Sequence, residues 1–484
     1  MNSRQSRVAV LTGASGYVGG LILEEVCATF STVRCVSRDP SKLTDLPPNA
    51  IPTKADLLEF SETRAALEDA DIAFYFAHSM ADSDQFSELE ERSASNFSRA
   101  ANEAGISKII YLGGLAQGDS GDSAHMKSRH VVGDILRSSG IPVIEFRASV
   151  VIGAGSMPFE AIRALVNKLP VMITPKWVRE QLQPIWSGDL KSYLIEAATL
   201  DFAESATFEI GGSEVISYRD LLHIYAKERG LRRWMINVPV VTPSLSSHWL
   251  RIFTPAHYKI GRQIVESATH RSIVRDFSAK EVFSVKPIGA KEAVTRALQT
   301  EQEDLAFLDS VPHQHSKLRN SRWIDGTRFI EKRTHIVNSD HETASIGIKK
   351  IGGQYGWYWA TWMWRLRGAM DRVVGGVGYR NTRPAGDLKT GSQMDFWKVV
   401  RVSNSRLTLA AEMKLPGEAF FDLKVERIDP ESTCPVKLIH TVSFDPKGLL
   451  GFIYWYGLFP IHKLVFDRMA QALASRIEIE PHGR

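Results

Sequence analysis

The chain has 484 residues, 44% of them hydrophobic and 24% charged, and a formal net charge of +4. At roughly 100–200 residues per domain, that length predicts two to four domains with ample buried cores. The composition excludes a disordered, collagen-like or coiled-coil plan, and so small a basic surplus does not by itself point to a nucleic-acid or anionic-membrane surface. Three cysteines, Cys27, Cys35 and Cys434, cannot form a fully paired disulfide framework, which predicts a reducing, cytoplasmic setting.

From the N-terminus, MNSRQSRVAVLTGASG reaches an apolar run within eight residues and carries no signal-peptide core. Short apolar runs then alternate with helical patterns through about residue 230: Val8–Leu11, Val33–Val36, Ile72–Phe76, Lys108–Leu112 and Pro142–Phe146. Strands spaced by helix-length segments predict right-handed βαβ units and an α/β fold with a doubly wound parallel sheet.

The first run is followed by Thr12-Gly13-Ala14-Ser15-Gly16-Tyr17-Val18-Gly19, which opens a helix. Gly13, Gly16 and Gly19 permit a tight turn, close approach of backbone to a pyrophosphate and close packing of helix on strand. Ser15, Tyr17 and Val18 complete the turn and the first helical residues, whose free N–H groups suit an anion. After the second run, where an acidic residue would take the ribose 2′-hydroxyl of NAD, stands Arg38. A guanidinium there suits a 2′-phosphate, so NADP is expected, with NAD as the alternative, and Lys42 supplies a second charge. The plainer reading makes Arg38 a solvated turn residue.

The GxxGxxG spacing resembles the short-chain dehydrogenase/reductase superfamily, in its extended or atypical branch, over about residues 7–300. The resemblance implies that Asp56, with Leu57 after it, meets the adenine amino group and that Ala77 and His78 run past the riboses. It also implies a Ser after the fifth strand and a Tyr-x-x-x-Lys on the next helix, and here the chain departs. It reads Tyr111-Leu112-Gly113-Gly114 and then His125-Met126-Lys127-Ser128-Arg129. By spacing, His125 replaces the tyrosine and Arg129 the lysine, on one helix face. An imidazole donates a proton near neutral pH, and Arg129 binds ribose hydroxyls. Set beside that, His125 is a hydrogen-bonded helix residue and Arg129 a cofactor or surface contact. Ile141–Arg147, Gln183-Pro184-Ile185 with Asp189, and Phe208–Gly212 are similar to the substrate-side elements of NmrA-like members, a group holding both reductases and proteins that bind NADP without turnover.

Glu301–Asp325 is polar, and a linker is expected at 306–325, between a dinucleotide-binding unit at 1–305 with a small substrate-side subdomain and a second unit at 326–484. Residues 396–444 read as three or four antiparallel strands, with Phe421, Leu423 and Val425 alternating against Asp422, Lys424 and Glu426 and a turn at Pro416-Gly417. His440 falls on an apolar strand face and reads as a core histidine. Leu449–Phe466, interrupted by Pro460, His462 and Lys463, is too short to span a bilayer, which leaves peripheral membrane contact open. A final helix places Ile461, Val465, Met469 and Leu473 on one face, with Leu464 and Ala472 beside them.

Six aromatic residues crowd Tyr355–Trp364. With Asp395-Phe396-Trp397, Ala411–Gly417 and Tyr454-Trp455-Tyr456, this half is similar to an uncharacterised bacterial domain related to START and polyketide-cyclase folds. That implies a helix-grip plan whose cavity holds an apolar or lipid-like ligand, with Trp362 among its walls; the alternative is a core filled by tryptophans. No His, Cys and carboxylate spacing suits a metal. The expected function is an NADP-dependent oxidoreductase acting on an apolar carbonyl or enone; the alternative is a non-catalytic NADP-binding regulator or lipid-binding protein. Nucleic acid is not an expected partner, and the oligomeric state is left open.

Overall fold

The apolar runs of the first half become one parallel sheet in the computed structural model, which describes residues 7–43, 46–77, 86–115, 124–237, 269–306, 329–384, 386–428 and 434–479. His78 and the expected linker from 307 onward lie outside the described residues. The chain divides into two compact units, built mainly on Met1–Val166 with Val171–Thr300 and on Lys317–Arg484.

The first unit holds strands β1 (Val8–Thr12), β2 (Thr32–Ser37), β3 (Ala50–Lys54), β4 (Ile72–Tyr75), β5 (Lys108–Gly114), β6 (Val143–Ala148) and β7 (Ala206–Ile210). They pair in the order β7-β6-β5-β4-β1-β2-β3, every pairing parallel. The central strands are buried on both faces, which is why they read as continuous apolar runs. On one face Ala9, Leu11, Cys35 and Phe146 pack under α1 (Tyr17–Thr29) and α5 (Ser187–Thr199). On the other, Val10, Tyr75 and Tyr111 pack under α2 (Phe60–Leu67), α3 (Phe86–Glu103) and α4 (Ala124–Arg137). A later helix, α6 (Ala290–Ala306), takes in the first residues of the polar segment that begins at Glu301.

The second unit is an antiparallel sheet of β8 (Phe329–Val337), β9 (Gln393–Met394), β10 (Trp397–Val402), β11 (Arg406–Ala411), β12 (Gly417–Arg427) and β13 (Val436–Pro446), in the order β8-β13-β12-β11-β10-β9. Its helices are α7 (His341–Gly347), α8 (Thr361–Val373) and α9 (Gly448–Ile479). Phe421, Leu423 and Val425 on β12 face Val442, His440 and Leu438 on β13, and this apolar face lies under α9.

Two expectations about the last helix are corrected. It begins at Gly448 and runs through Pro460, because one missing N–H is tolerated where sheet packing holds the rest of the helix. Its buried stripe is Val465, Met469, Leu473 and Ile477 with Phe466 and Ala470, whereas Ile461 and Leu464 are exposed. Among the described residues α9 is the helix long and apolar enough to cross a membrane by length and composition. Asp422 also departs from its reading as an outward polar residue. It is buried, accepting hydrogen bonds from Arg406 Nε at 2.8 Å and Thr408 Oγ1 at 2.6 Å.

Candidate functional site

The strand order reverses between β1 and β4, and a crevice outside the carboxyl ends at such a switch point is where doubly wound sheets take ligands. Thr12 fixes it. Its buried hydroxyl donates to the Phe74 carbonyl at 3.1 Å and accepts from the N–H groups of Phe76 at 3.1 Å and Ala77 at 3.2 Å, tying the end of β1 to the end of β4. Thr12 was not among the expected site residues. The available signal was a hydroxyl immediately before the glycine turn.

Gly13 has φ +67°, and a Cβ there would lie 2.5 Å from the Phe76 carbonyl oxygen. A Cβ on Gly19 would lie 2.3 Å from the Gly13 carbonyl oxygen, so helix α1 sits directly on the turn. The turn is closed by the Gly16 N–H donating to the Gly13 carbonyl at 2.8 Å. Gly16 caps α1 without a side-chain hydrogen bond, and no acidic residue occupies the first turn. The N–H groups of Tyr17, Val18 and Gly19 and the positive end of the helix dipole therefore point at the crevice, a fit to a pyrophosphate. Ser15 is half-buried in the turn, and the Tyr17 hydroxyl reaches toward Gly153, beside Ser187 at the start of α5.

Arg38 is exposed, the first residue beyond β2, with no ion pair among the described residues. Lys42 ends a short 3-10 turn, Pro40–Lys42, and its side chain lies outside the described residues. Asp56 follows β3, the neighbour of β2; its Oδ1 accepts the Leu58 N–H at 3.1 Å, and its own N–H donates to Glu62 Oε2 at 2.8 Å. Leu57 is buried beside it, its carbonyl accepting from Asn96 Nδ2 at 2.9 Å. The glycine turn, Thr12 and Ala77 thus meet at the switch point, while Arg38 and Asp56 stand at the carboxyl ends of adjacent strands.

Helix α4 carries His125 and Arg129, expected from their spacing in the places of a Tyr-x-x-x-Lys pair. His125 stacks on Phe86, with ring centroids 6.3 Å apart and planes at 27°. Arg129 Nη1 donates to the Leu112 carbonyl at 3.1 Å, and the Tyr111 hydroxyl donates to the Arg129 carbonyl at 2.9 Å. Arg129 is thereby anchored to β5. Burial pushes the Tyr111 phenol up, against the pull of the Arg129 guanidinium. Ser128 donates to Glu90 in the same layer, a buried bond between α4 and α3 that the sequence did not disclose. A Cβ at Gly114 would lie 2.4 Å from Met126 Sδ, so the flexible Met126 side chain would have to move to admit one.

The elements resembling a substrate side hold backbone together. Gln183 Nε2 donates to the Gly212 carbonyl at 2.7 Å, and Gln183 Oε1 accepts the Val274 N–H at 3.0 Å. Asp189 Oδ2 accepts the Ile288 N–H at 2.9 Å, in surroundings where burial pushes its carboxyl up.

In the second unit Trp357 is buried and donates from Nε1 to Asp395 at 2.8 Å. Trp362, expected on a cavity wall, is 65% exposed on α8, because its neighbour Trp364 takes the inward position. His440 is fully buried between Phe421, at 4.7 Å, and Phe466, at 5.7 Å. Burial, helped by Arg333, holds its imidazole well below the usual range; burial, with Arg367 and Arg333, takes His462 to about 4. Both ring nitrogens of His440, Nδ1 of His462, and the indole N–H groups of Trp364 and Trp397 have no hydrogen-bond partner among the described residues. All four residues pack on Phe421 or Phe466. No cluster of three or more His, Cys, Asp or Glu is placed to hold a metal among the described residues.

Residues 13–141 match the NAD(P)H-binding family, and residues 323–469 match a family described as a protein of unknown function, DUF2867. The first unit is an NAD(P)H-binding domain with a Rossmann-like parallel sheet, and the second is a separate antiparallel domain. No curated protein matches the chain in sequence. Among solved structures, a Citrobacter triphenylmethane reductase complexed with NADP(H) is similar at 16% identity and a TM-score of 0.50, covering 60% of this chain and 99% of its own. A second structure of that reductase gives 18% identity and a TM-score of 0.50 with the same coverage. At these identities the likeness is one of fold.

Proposed function

We propose that the chain is an NADP-dependent oxidoreductase acting on an apolar carbonyl or enone compound. The observation that carries this reading is the glycine turn, held by Thr12 at the switch point and opening a helix with no side-chain cap at its N-terminus. Gly13, Gly16 and Gly19 hold the pyrophosphate, Arg38 takes the 2′-phosphate, and Asp56 and Ala77 border the adenosine and ribose. When bound, the cofactor supplies hydride. The chain supplies position and a proton: His125 gives its proton to the substrate oxygen, and Arg129, anchored on Leu112, holds the helix that carries it.

The second domain, read as helix-grip, holds the apolar molecule. The indoles of Trp364 and Trp397 and the imidazoles of His440 and His462, gathered around Phe421 and Phe466, give the aromatic surroundings that suit an apolar molecule. One chain carrying both sites keeps such a molecule at high effective concentration. The second reading, an NADP-binding regulator without turnover, is favoured by the absence of serine and tyrosine from their superfamily places.

His125→Ala separates the two. Under the first reading it lowers NADPH oxidation with apolar enones roughly 10²–10⁴-fold while NADPH affinity stays unchanged, measured by absorbance kinetics and calorimetry. Unchanged turnover in the variant removes His125 from the chemistry, and no oxidation by the unmodified chain favours the regulator.

A further inference from the structure

Helix α8 has two opposed faces. Trp364, Gly368 and Asp371 turn inward, and Asp371 accepts hydrogen bonds from the N–H groups of Gly378 at 2.9 Å and Lys414 at 2.8 Å. On the other side Trp362, Leu366, Met370 and Val373 form a stripe at helical spacing, and Val373 is 88% exposed. Helix α9 lies alongside: Trp364 packs on Phe466 at 5.8 Å, and the Arg367 guanidinium sits 5.9 Å from the Tyr454 ring. The first half of α9 exposes a stripe of its own, Leu450, Ile453, Ile461 and Leu464, opposite its buried Phe452, Trp455 and Phe466.

The charges around these stripes have one sign. The exposed Arg365 and Arg372 flank the α8 stripe, Arg372 Nη2 donating to the Tyr379 carbonyl at 2.9 Å and Arg365 bonding the Tyr379 side chain, while Lys463 and Arg468 adjoin the α9 stripe and the Lys414 ammonium lies beside Gly375 at the end of α8. The acids on the two helices are spent within the fold: Asp371 as described, Asp467 on Arg333, and Glu478 on the Asn338 N–H. We infer that the exposed faces of α8 and the first half of α9 dock on an anionic lipid surface. Apolar stripes with a tryptophan, rimmed by arginine and lysine stems that can carry their heads outward, match an interfacial helix pair. A second copy of the chain fits less well, because a two-fold contact would set like-charged rims against each other. The opposite face of the first half of α9 packs through Phe452 and Trp455 on Phe329 and Phe444 of the sheet, which favours a helix lying on the lipid surface over one crossing it.

The test is co-sedimentation of the full chain with vesicles of phosphatidylcholine alone and of phosphatidylcholine mixed with phosphatidylglycerol. Binding to the anionic vesicles is expected, weakened by salt and by roughly fivefold for each cation removed in Arg365→Gln and Arg372→Gln. Leu366→Asp with Val373→Asp should abolish it and leave the melting curve unchanged, because both side chains are exposed. No binding to anionic vesicles overturns the inference, as does equal binding by the double aspartate variant. A chain that is dimeric, ignores vesicles and becomes monomeric in that variant assigns the surface to a second copy and also overturns it.

Discussion

Gly13→Ala is expected to weaken NADPH binding roughly a hundredfold or more, without loss of the far-ultraviolet circular dichroism of the chain. Two penalties combine. The left-handed conformation at φ +67° costs a residue with a Cβ about 1–2 kcal/mol. The Cβ would also meet the Phe76 carbonyl oxygen at 2.5 Å, inside any van der Waals contact. The turn must therefore move away from β4, and with it the first N–H groups of α1. Each charge-assisted hydrogen bond lost to a phosphate removes roughly 1.5–3 kcal/mol, so one or two such losses give the expected factor. Titration calorimetry measures it, and wild-type affinity in the variant would show that this turn does not hold the cofactor.

Asp422→Ala should destabilise the second unit by about 3–5 kcal/mol, lowering its melting transition by roughly 10 °C. Arg406 and Asp422 are both nearly fully buried and joined at 2.8 Å, so the substitution removes the carboxylate that accepts from both Arg406 Nε and the Thr408 hydroxyl. Asp422→Asn keeps an acceptor oxygen and should cost less. NADPH affinity should be unchanged in both, because the glycine turn belongs to the other compact unit. Differential scanning calorimetry reads the first effect and titration the second. A loss below about 1 kcal/mol would mean that the buried pair is dispensable.

What the amino-acid pattern disclosed was local. The β1, β4 and β5 runs are continuous and apolar because parallel strands are covered on both faces, and the glycines of 13–19 are close together in sequence because the turn they serve is short. What escaped depends on partners far along the chain. Thr12 is an ordinary threonine until β4, about sixty residues on, is brought beside it. Asp422 looks like an outward polar residue in an alternating strand, and only its pairing across β11 places Arg406 against it. The tryptophan-rich segment read either as cavity wall or as filled core, and α8 divides it, turning Trp364 inward against the sheet and Trp362 outward. The start of α9 was hidden by Pro460, whose helix-breaking tendency yields to the packing of the helix on β8 and β13.

The central claim is that the first unit takes a dinucleotide carrying a 2′-phosphate, with Arg38 selecting it. Titration calorimetry of the full chain with NADPH and with NADH tests this most directly. The account predicts NADPH binding tighter than NADH by roughly tenfold or more, the worth of one charge-assisted guanidinium contact. Equal or tighter NADH binding would contradict the role of Arg38, and binding of neither would contradict the site itself.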